Sequence, residues 1–167
     1  MKGKIFISFI CALIFLVVTF AFLYNSAKED KTKGHETAIQ AAKEHGFASI
    51  DEVNTFYNRN VYYIIQGKNK KGEKIIGWMK KGNTDKILIK KAKEGLSKDD
   101  VLQLIQNIDN SKPKKIKKIM LGYDDTDSKK WDIPVWEVQY IDQQNRYTYF
   151  IVSFTDDRVY KMYSIKQ

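Results

Sequence analysis

Two histidines, one cysteine and a run of aspartates are the side chains of this sequence whose types could do chemistry. His35 and His45 stand ten residues apart on one predicted helix, not at the i, i+4 spacing that lets a helical pair share a zinc ion. They read as solvated residues near helix ends. Asp124, Asp125, Asp127 and Asp132 offer oxygen ligands of the kind calcium takes. The stretch lacks the central glycine and the closing glutamate of an EF-hand, so it reads as a polar loop. Ser97 has a structural use as a helix cap, and Ser153 falls in a predicted strand with neither histidine expected nearby. No glycine-rich phosphate cradle occurs. Cys11 lies inside an apolar run and not at its end, where an acylated cysteine would stand. The remainder of the chain therefore has no disulfide frame and no thiol nucleophile. No catalytic residue, metal or cofactor is expected.

What remains is contact chemistry. Trp131, just before a proline-bearing strand, and Trp78, beside lysines, are the candidate exposed anchors for a partner, in keeping with the enrichment of tryptophan at interface hot spots. Trp136, Val138 and Tyr140 alternate onto one face of a strand and are expected in the core, with Tyr62 and Ile64 as their counterparts in the first half. Lys68, Lys70, Lys71, Lys74, Lys80 and Lys81 cluster at the ends of predicted strands. They are the candidates for binding an anionic lipid surface or an anionic wall polymer. Residues 28–95 carry 15 basic and 9 acidic side chains, against 12 and 11 from residue 96 onward. A solvated face kept soluble by lysines is the competing reading.

The elements that must position these residues begin with an apolar run, Ile5 to Tyr24. At about 1.5 Å per residue a helix of this length covers roughly 30 Å, the thickness of a bilayer's hydrocarbon core. Lys2 and Lys4 precede it, while Lys28, Glu29, Asp30, Lys31 and Lys33 nearly cancel, so residues 1–4 are expected in the cytoplasm, 5–24 as the anchor and the body outside the cell membrane. Nucleic acid is then not an expected partner. A cleaved signal peptide is the rival, but its apolar core is usually about 7–15 residues and Asn25-Ser26-Ala27 is a poor cleavage site.

Residues 25–34 form a polar connector, either helical as far as Gly34 or a flexible stalk. Ala38, Ala41, Ala42 and His45 then mark one face of a helix ended by Gly46. Short β-branched and aromatic runs follow at Val53 to Tyr57, Val61 to Gln66, Lys74 to Met79 and Lys86 to Ile89. A second helix starts at Ser97, with Asp100 positioned to complete a capping box and Leu96 with Val101 as the staple. Its stripe of Val101, Leu104, Ile105 and Ile108 ends before Pro113. Strand signals return at Ile116 to Tyr123, Val135 to Ile141, Tyr147 to Phe154 and Val159 to Ile165.

The two halves are alike. Val61-Tyr62-Tyr63-Ile64 matches Val135-Trp136-Glu137-Val138, and the turn Asn69-Lys70-Lys71-Gly72 matches Asp142-Gln143-Gln144-Asn145. The fold class expected is α+β: an N-terminal transmembrane helix, then two small tandem domains, 35–95 and 96–167, each one helix on an antiparallel sheet of about four strands. Each is small for its surface, so the two are expected to share an interface.

Gly34-His35-Glu36 with Ala38, Ala41, Ala42 and Lys43, then Tyr62-Tyr63, Lys70-Lys71-Gly72, Lys91-Ala92-Lys93-Glu94-Gly95-Leu96-Ser97, and Trp136-Glu137-Val138 with Tyr147 and Tyr149, resemble the TseB family of cell wall elongation regulators. The resemblance covers essentially the whole chain. It implies one N-terminal anchor, two PepSY-like domains of cystatin fold, and a non-enzymatic role in which a membrane-bound penicillin-binding protein or other wall synthase is the partner. PepSY-like units elsewhere serve near proteases, which makes an inhibitor or chaperone of an extracellular peptidase the alternative. One departure is Asp156-Asp157-Arg158, where such units usually carry Thr-Gly-Lys. Aspartate tolerates a left-handed turn better than most residues, so the hairpin is expected to survive.

Overall fold

The computed structural model describes residues 2–108, 112–126 and 133–166, with the backbone alone for 2–12 and 25–31. The chain divides into two units, Met1–Thr37 and Ala38–Gln167. The first is helical throughout its described residues and belongs to helix α1, Lys2–Glu44. The connector expected at 25–34 is thus helical in its backbone. Side chains from Leu13 to Tyr24 are exposed and, Thr19 apart, apolar or aromatic, Phe15 and Phe22 most exposed of all. Among the described residues no helix is long and apolar enough to cross a membrane. The expected span, Ile5 to Tyr24, lies in part on residues 5–12, whose side chains are outside that description.

The second unit opens with the end of α1. Gly46, at φ +103°, takes the left-handed conformation that ends the helix, with its N–H donating to the Lys43 carbonyl. An antiparallel meander follows: β1 Phe47–Tyr57, β2 Val61–Asn69, β3 Lys74–Lys80 and β4 Ile87–Lys91. A 3-10 turn, Ala92–Glu94, leads to α2, Lys98–Gln106. The second meander is β5 Pro113–Asp124, β6 Ile133–Asp142, β7 Tyr147–Ser153 and β8 Val159–Ile165. The fold is therefore α+β, with helices and two four-stranded antiparallel sheets in tandem.

The cap of α2 is as expected. Ser97 Oγ accepts from the Asp100 N–H, and the Asp100 carboxylate accepts from the Ser97 N–H at 2.8 Å. The hairpin at Asp156-Asp157-Arg158 also survives, but not by a left-handed aspartate, since Asn145 is the one non-glycine at positive φ among the described residues. Ser153 Oγ accepts from the Thr155 N–H at 3.1 Å and Asp156 Oδ1 from the Arg158 N–H at 3.1 Å, so side chains fix the turn.

The turns Asn69 to Gly72 and Asp142 to Asn145 are copies of one another. In each, the first residue's side-chain oxygen accepts the N–H groups two and four residues on: Lys71 and Glu73 in one, Gln144 and Arg146 in the other. Gly72 and Asn145 take the left-handed position, at φ 77° and 60°. Counting back from these turns pairs Tyr63 with Trp136 and Ile65 with Val138, one residue out of step with the match made on Val61 and Val135. The slip matters because side chains alternate faces. Tyr63 and Ile65 face the end of α1 beside Ala38, Ala41 and Ala42. Their true counterparts, Trp136 and Val138, pack with Val101 and Ile105 of α2. Tyr62 and Ile64 instead point the other way, into a third cluster with Phe56, Ile76, Trp78, Leu121 and Phe154 that joins the two sheets.

β1 also starts at Phe47, well before the expected Val53. Register shifts between Phe47 and Ser49 and between Ile50 and Glu52 break the alternation there, and β5 has the same shifts between Pro113 and Lys115 and between Ile116 and Lys118.

Candidate functional site

Trp78 is not an exposed anchor. It is 2% exposed, its indole N–H donates to the Gly122 carbonyl at 2.9 Å, and it meets the edge of Phe154 at a ring separation of 5.2 Å. Lys80 and Lys81 are exposed because they stand at and past the end of β3, whereas Trp78 lies in the buried middle of the strand. Trp131 lies outside the described residues, as do Asp127 and Asp132. All six candidate lysines are exposed, but in two groups. Lys68 pairs across the ladder with Lys74, and Lys70 and Lys71 sit at the tip of the same hairpin. Lys80 and Lys81 lie at the far end of β3, roughly 20 Å away at the rise of an extended strand.

His45 faces two carbonyls, with Nδ1 2.8 Å from that of Ala41 and Nε2 3.3 Å from that of Asp85, and so ties the helix end to the β3–β4 loop. Among the described residues no group of three or more histidine, cysteine, aspartate or glutamate side chains is placed to hold a metal ion.

A cleft of about 430 Å³ lies where the β1–β2 turn meets the open face of the second sheet. Register builds its floor. Gln139 of β6 pairs with Tyr149 of β7 and Tyr149 with Tyr163 of β8, while Glu137, Ile151 and Lys161 form the next row. These residues share the face opposite α2, and Tyr57 and Asn58 form the rim. Asn58 Nδ2 donates to the Tyr123 carbonyl at 3.2 Å, and Asn60 and Tyr62 donate to Asp125 Oδ2.

Inside the cleft, Asp124 and Lys161 form an ion pair. Lys161 Nζ donates to Asp124 Oδ2 at 2.8 Å, and the Thr126 N–H donates to Asp124 Oδ1 at 3.1 Å. Burial works to raise the Asp124 pKa, but the Lys161 ammonium and the Thr126 donors outweigh it and hold the carboxyl below its usual range. Tyr147 donates its hydroxyl proton to Gln139 Oε1 at 2.8 Å, and Gln139 Nε2 donates to Glu137 Oε1 at 2.7 Å. Tyr149 and Tyr163 stack with ring centres 4.9 Å apart and planes 12° from parallel. Burial, and then the nearby Glu137 charge and Tyr149, push the Tyr163 phenol up. The Thr126 hydroxyl also donates to Asp124 Oδ1 and accepts from Lys161 Nζ, which closes this polar cluster.

Beside it runs a sheet edge that no further strand pairs with among the described residues. β8 is last in its sheet, and Val159, Met162, Tyr163 and Ile165 along it are 47%, 45%, 48% and 54% exposed. Outside α1 the other large exposed apolar side chains among the described residues are Tyr57, at the cleft rim, and Leu88. A strand carrying both unpaired backbone groups and exposed apolar side chains is a template for an extended partner segment. The β8 edge was not singled out from the sequence, although Val159 to Ile165 is apolar enough to have been.

The fold is thus one of two tandem helix-and-sheet repeats, the second of which carries a cleft and an apolar strand edge. The family described as "Cell wall elongation regulator TseB-like domain" matches residues 37–80. The chain is 34% identical over 163 residues, 96% of each protein, to the "Probable cell wall elongation regulator TseB" of Bacillus subtilis (strain 168). The solved "YpmB protein from Bacillus subtilis" superposes with a TM-score of 0.69 at 32% identity, covering 79% of this chain and 98% of that one. The chain belongs to the TseB family of cell wall elongation regulators.

Proposed function

We propose that this protein is a non-enzymatic regulator of cell wall elongation that works by contact. Ile5 to Tyr24 anchors it as a single span with residues 1–4 in the cytoplasm and the body outside, and its partner is a membrane-bound penicillin-binding protein or other wall synthase. Tethering both to one surface raises their effective concentration without any new contact. The observation that carries the contact reading is the free β8 edge beside the cleft, with its four exposed apolar side chains and its stacked Tyr149–Tyr163 pair. Trp131 is a further candidate for the same contact. The lysines at 68, 70, 71, 74, 80 and 81 orient the first sheet toward anionic lipid or wall polymer.

The same free edge favours a second reading. An inhibitor or chaperone of an extracellular peptidase would also accept an extended chain along β8. Photo-crosslinking of the full-length protein in membranes separates the two. A crosslinker at position 163 should capture a wall synthase, whereas one at position 103 on the exposed side of α2 should not. A secreted protease captured at 163, with its cleavage slowed by the protein, would establish the alternative. No synthase at either position would overturn the regulator reading.

A further inference from the structure

We infer that the N-terminal half of β5 is a binding site for a linear polyanion, a chain with one phosphodiester per repeat lying along the strand edge. β5 is the counterpart of β1 in the second sheet. Both are edge strands, and both carry two register shifts at matching places. Each shift consumes a residue, so the inward side chains recur every third position: Phe47, Ile50 and Val53 in β1, and Pro113, Ile116 and Ile119 in β5. The core accepts them accordingly, Ile50 and Val53 in the first half and Ile116 and Ile119 in the second. The two residues left between inward positions are free of the core.

In β1 these free positions hold Ala48, Ser49, Asp51 and Glu52. In β5 all four are lysine: Lys114, Lys115, Lys117 and Lys118, with Lys112 just before. Guarding an edge against unwanted pairing uses bulges and charge, most often lysine. The same scaffold in β1 meets that need with two acids. Edge protection therefore does not require a run of one sign. Five of the twelve basic residues from residue 96 onward fall within seven positions, which concentrates charge locally in a half that is nearly neutral in sum.

The arrangement is linear. Lys115 and Lys118 are registered against Ile141 and Gln139, which puts them at the border of the open face, and Lys114 and Lys117 occupy the bulges. Lys114 donates to Asn145 Oδ1 at 2.8 Å, which props it against the β6–β7 turn. Lys112, Lys115, Lys117 and Lys118 are exposed, and none has an ion-pair partner among the described residues. Because each bulge takes up a residue, successive lysines of each pair repeat at roughly 7 Å along the strand, and the row extends about 13 Å. It is one strand wide. A planar lipid surface would be met better by charge spread over several strands, whereas this sheet's open face turns to Gln139, Glu137 and tyrosines. A single row of cations fits a single chain of anions.

The test uses the full-length protein in neutral phosphatidylcholine nanodiscs and labelled linear inorganic polyphosphate as the probe. Three variants are compared with wild type: Lys→Gln at 114, 115, 117 and 118, Lys→Arg at the same four positions, and Lys→Gln at 68, 70, 71 and 74. The first should weaken polyphosphate binding at least tenfold, the second should leave it within threefold, and the third should also leave it within threefold. By analogy with single-stranded nucleic acid, four neutralised phosphates should give wild type a log–log salt slope of roughly −3. Equal losses in the two glutamine variants would mean that net charge alone is read, and would overturn the proposal. So would no binding of polyphosphate by wild type. A loss confined to capture of phosphatidylglycerol vesicles, with polyphosphate binding intact, would replace the polymer by a lipid surface and would also overturn it.

Discussion

Replacing Gly122 by alanine should destabilise the body by about 3 kcal/mol, and the figure can be built from the contacts. A Cβ at Gly122 would lie 2.5 Å from two ring carbons of Phe56 and 2.9 Å from a third. Carbon atoms prefer roughly 3.5–4.0 Å, so the ring must withdraw by about 1 Å. It has nowhere to go, because Phe56 is 4% exposed and packs with Tyr62, Ile64, Leu121 and Phe154. Overpacking of this kind costs about 1–3 kcal/mol. Moving β5 to relieve it would stretch the Trp78 bond to the Gly122 carbonyl, worth about 1 kcal/mol more. For a body of this size the total lowers Tm by roughly 10 °C. Urea and thermal unfolding of the full chain in mild detergent, followed by tryptophan fluorescence, would measure it. Phe56→Leu makes room, so the double variant should be more stable than the sum of the single losses by about 1 kcal/mol or more. If Gly122→Ala lies within about 0.5 kcal/mol of wild type, or if the two changes simply add, the two sheets do not share the core described.

Two further predictions concern ionisable groups. Asp142 is fully buried. Burial alone would raise its pKa, but the Arg146 N–H and guanidinium and the Gln144 N–H hold it below the usual carboxylate range. A depressed folded pKa gives stability that is fully present above the unfolded value, roughly pH 4, and is lost as pH falls through the folded one. Asp142→Asn keeps the acceptor that Asn69 supplies in the first turn but loses the half-exposed Arg146 pair at 2.7 Å, so it should cost about 1–2 kcal/mol at neutral pH and flatten the acid limb of urea stability. An unchanged acid limb would sink the assignment. Glu73, bonded by Lys91 at 2.8 Å and by Asn69, should titrate at about 2. Its carboxyl carbon, followed by NMR, should move back up toward the ordinary range in Lys91→Met, and a midpoint already ordinary in wild type would refute the pair.

The strands, the α2 cap and the repeat are legible because each rests on local chemistry: a serine with an aspartate three residues on, turn residues between apolar runs, and two turns of like composition. What sequence reasoning missed is non-local. The first part of β1 hides because two bulges turn a period of two into a period of three, and Phe47, Ile50 and Val53 then look like one face of a helix. Matching Val61 to Val135 aligns residue types but not structure, and a one-residue slip puts Tyr62 and Ile64 on the wrong face. The joining core is hidden for a related reason. β2 and β3 are covered on both faces, so Tyr62 to Ile65 and Ile75 to Met79 are buried without alternation. Read that way, those unbroken apolar runs were the available sign that Trp78 is internal.

Comparison of the two repeats also relocates the contact surfaces. Summed charge singles out residues 28–95 as the basic half, which suggests that the first repeat meets anions and the second meets protein. Geometry distributes the work differently. The first sheet is covered on one face by the end of α1 from Ala38 onward and on the other by Leu121 and Phe154, so only its turns and edges remain for contact, and its lysines divide between two distant ends. The second sheet is covered by α2 on one face alone. Its other face carries the cleft, its last strand has a free apolar edge, and its first strand replaces the acids of β1 with a row of lysines. The duplication keeps the scaffold and varies the edges: the first copy packs on both faces, and the second leaves part of one face open.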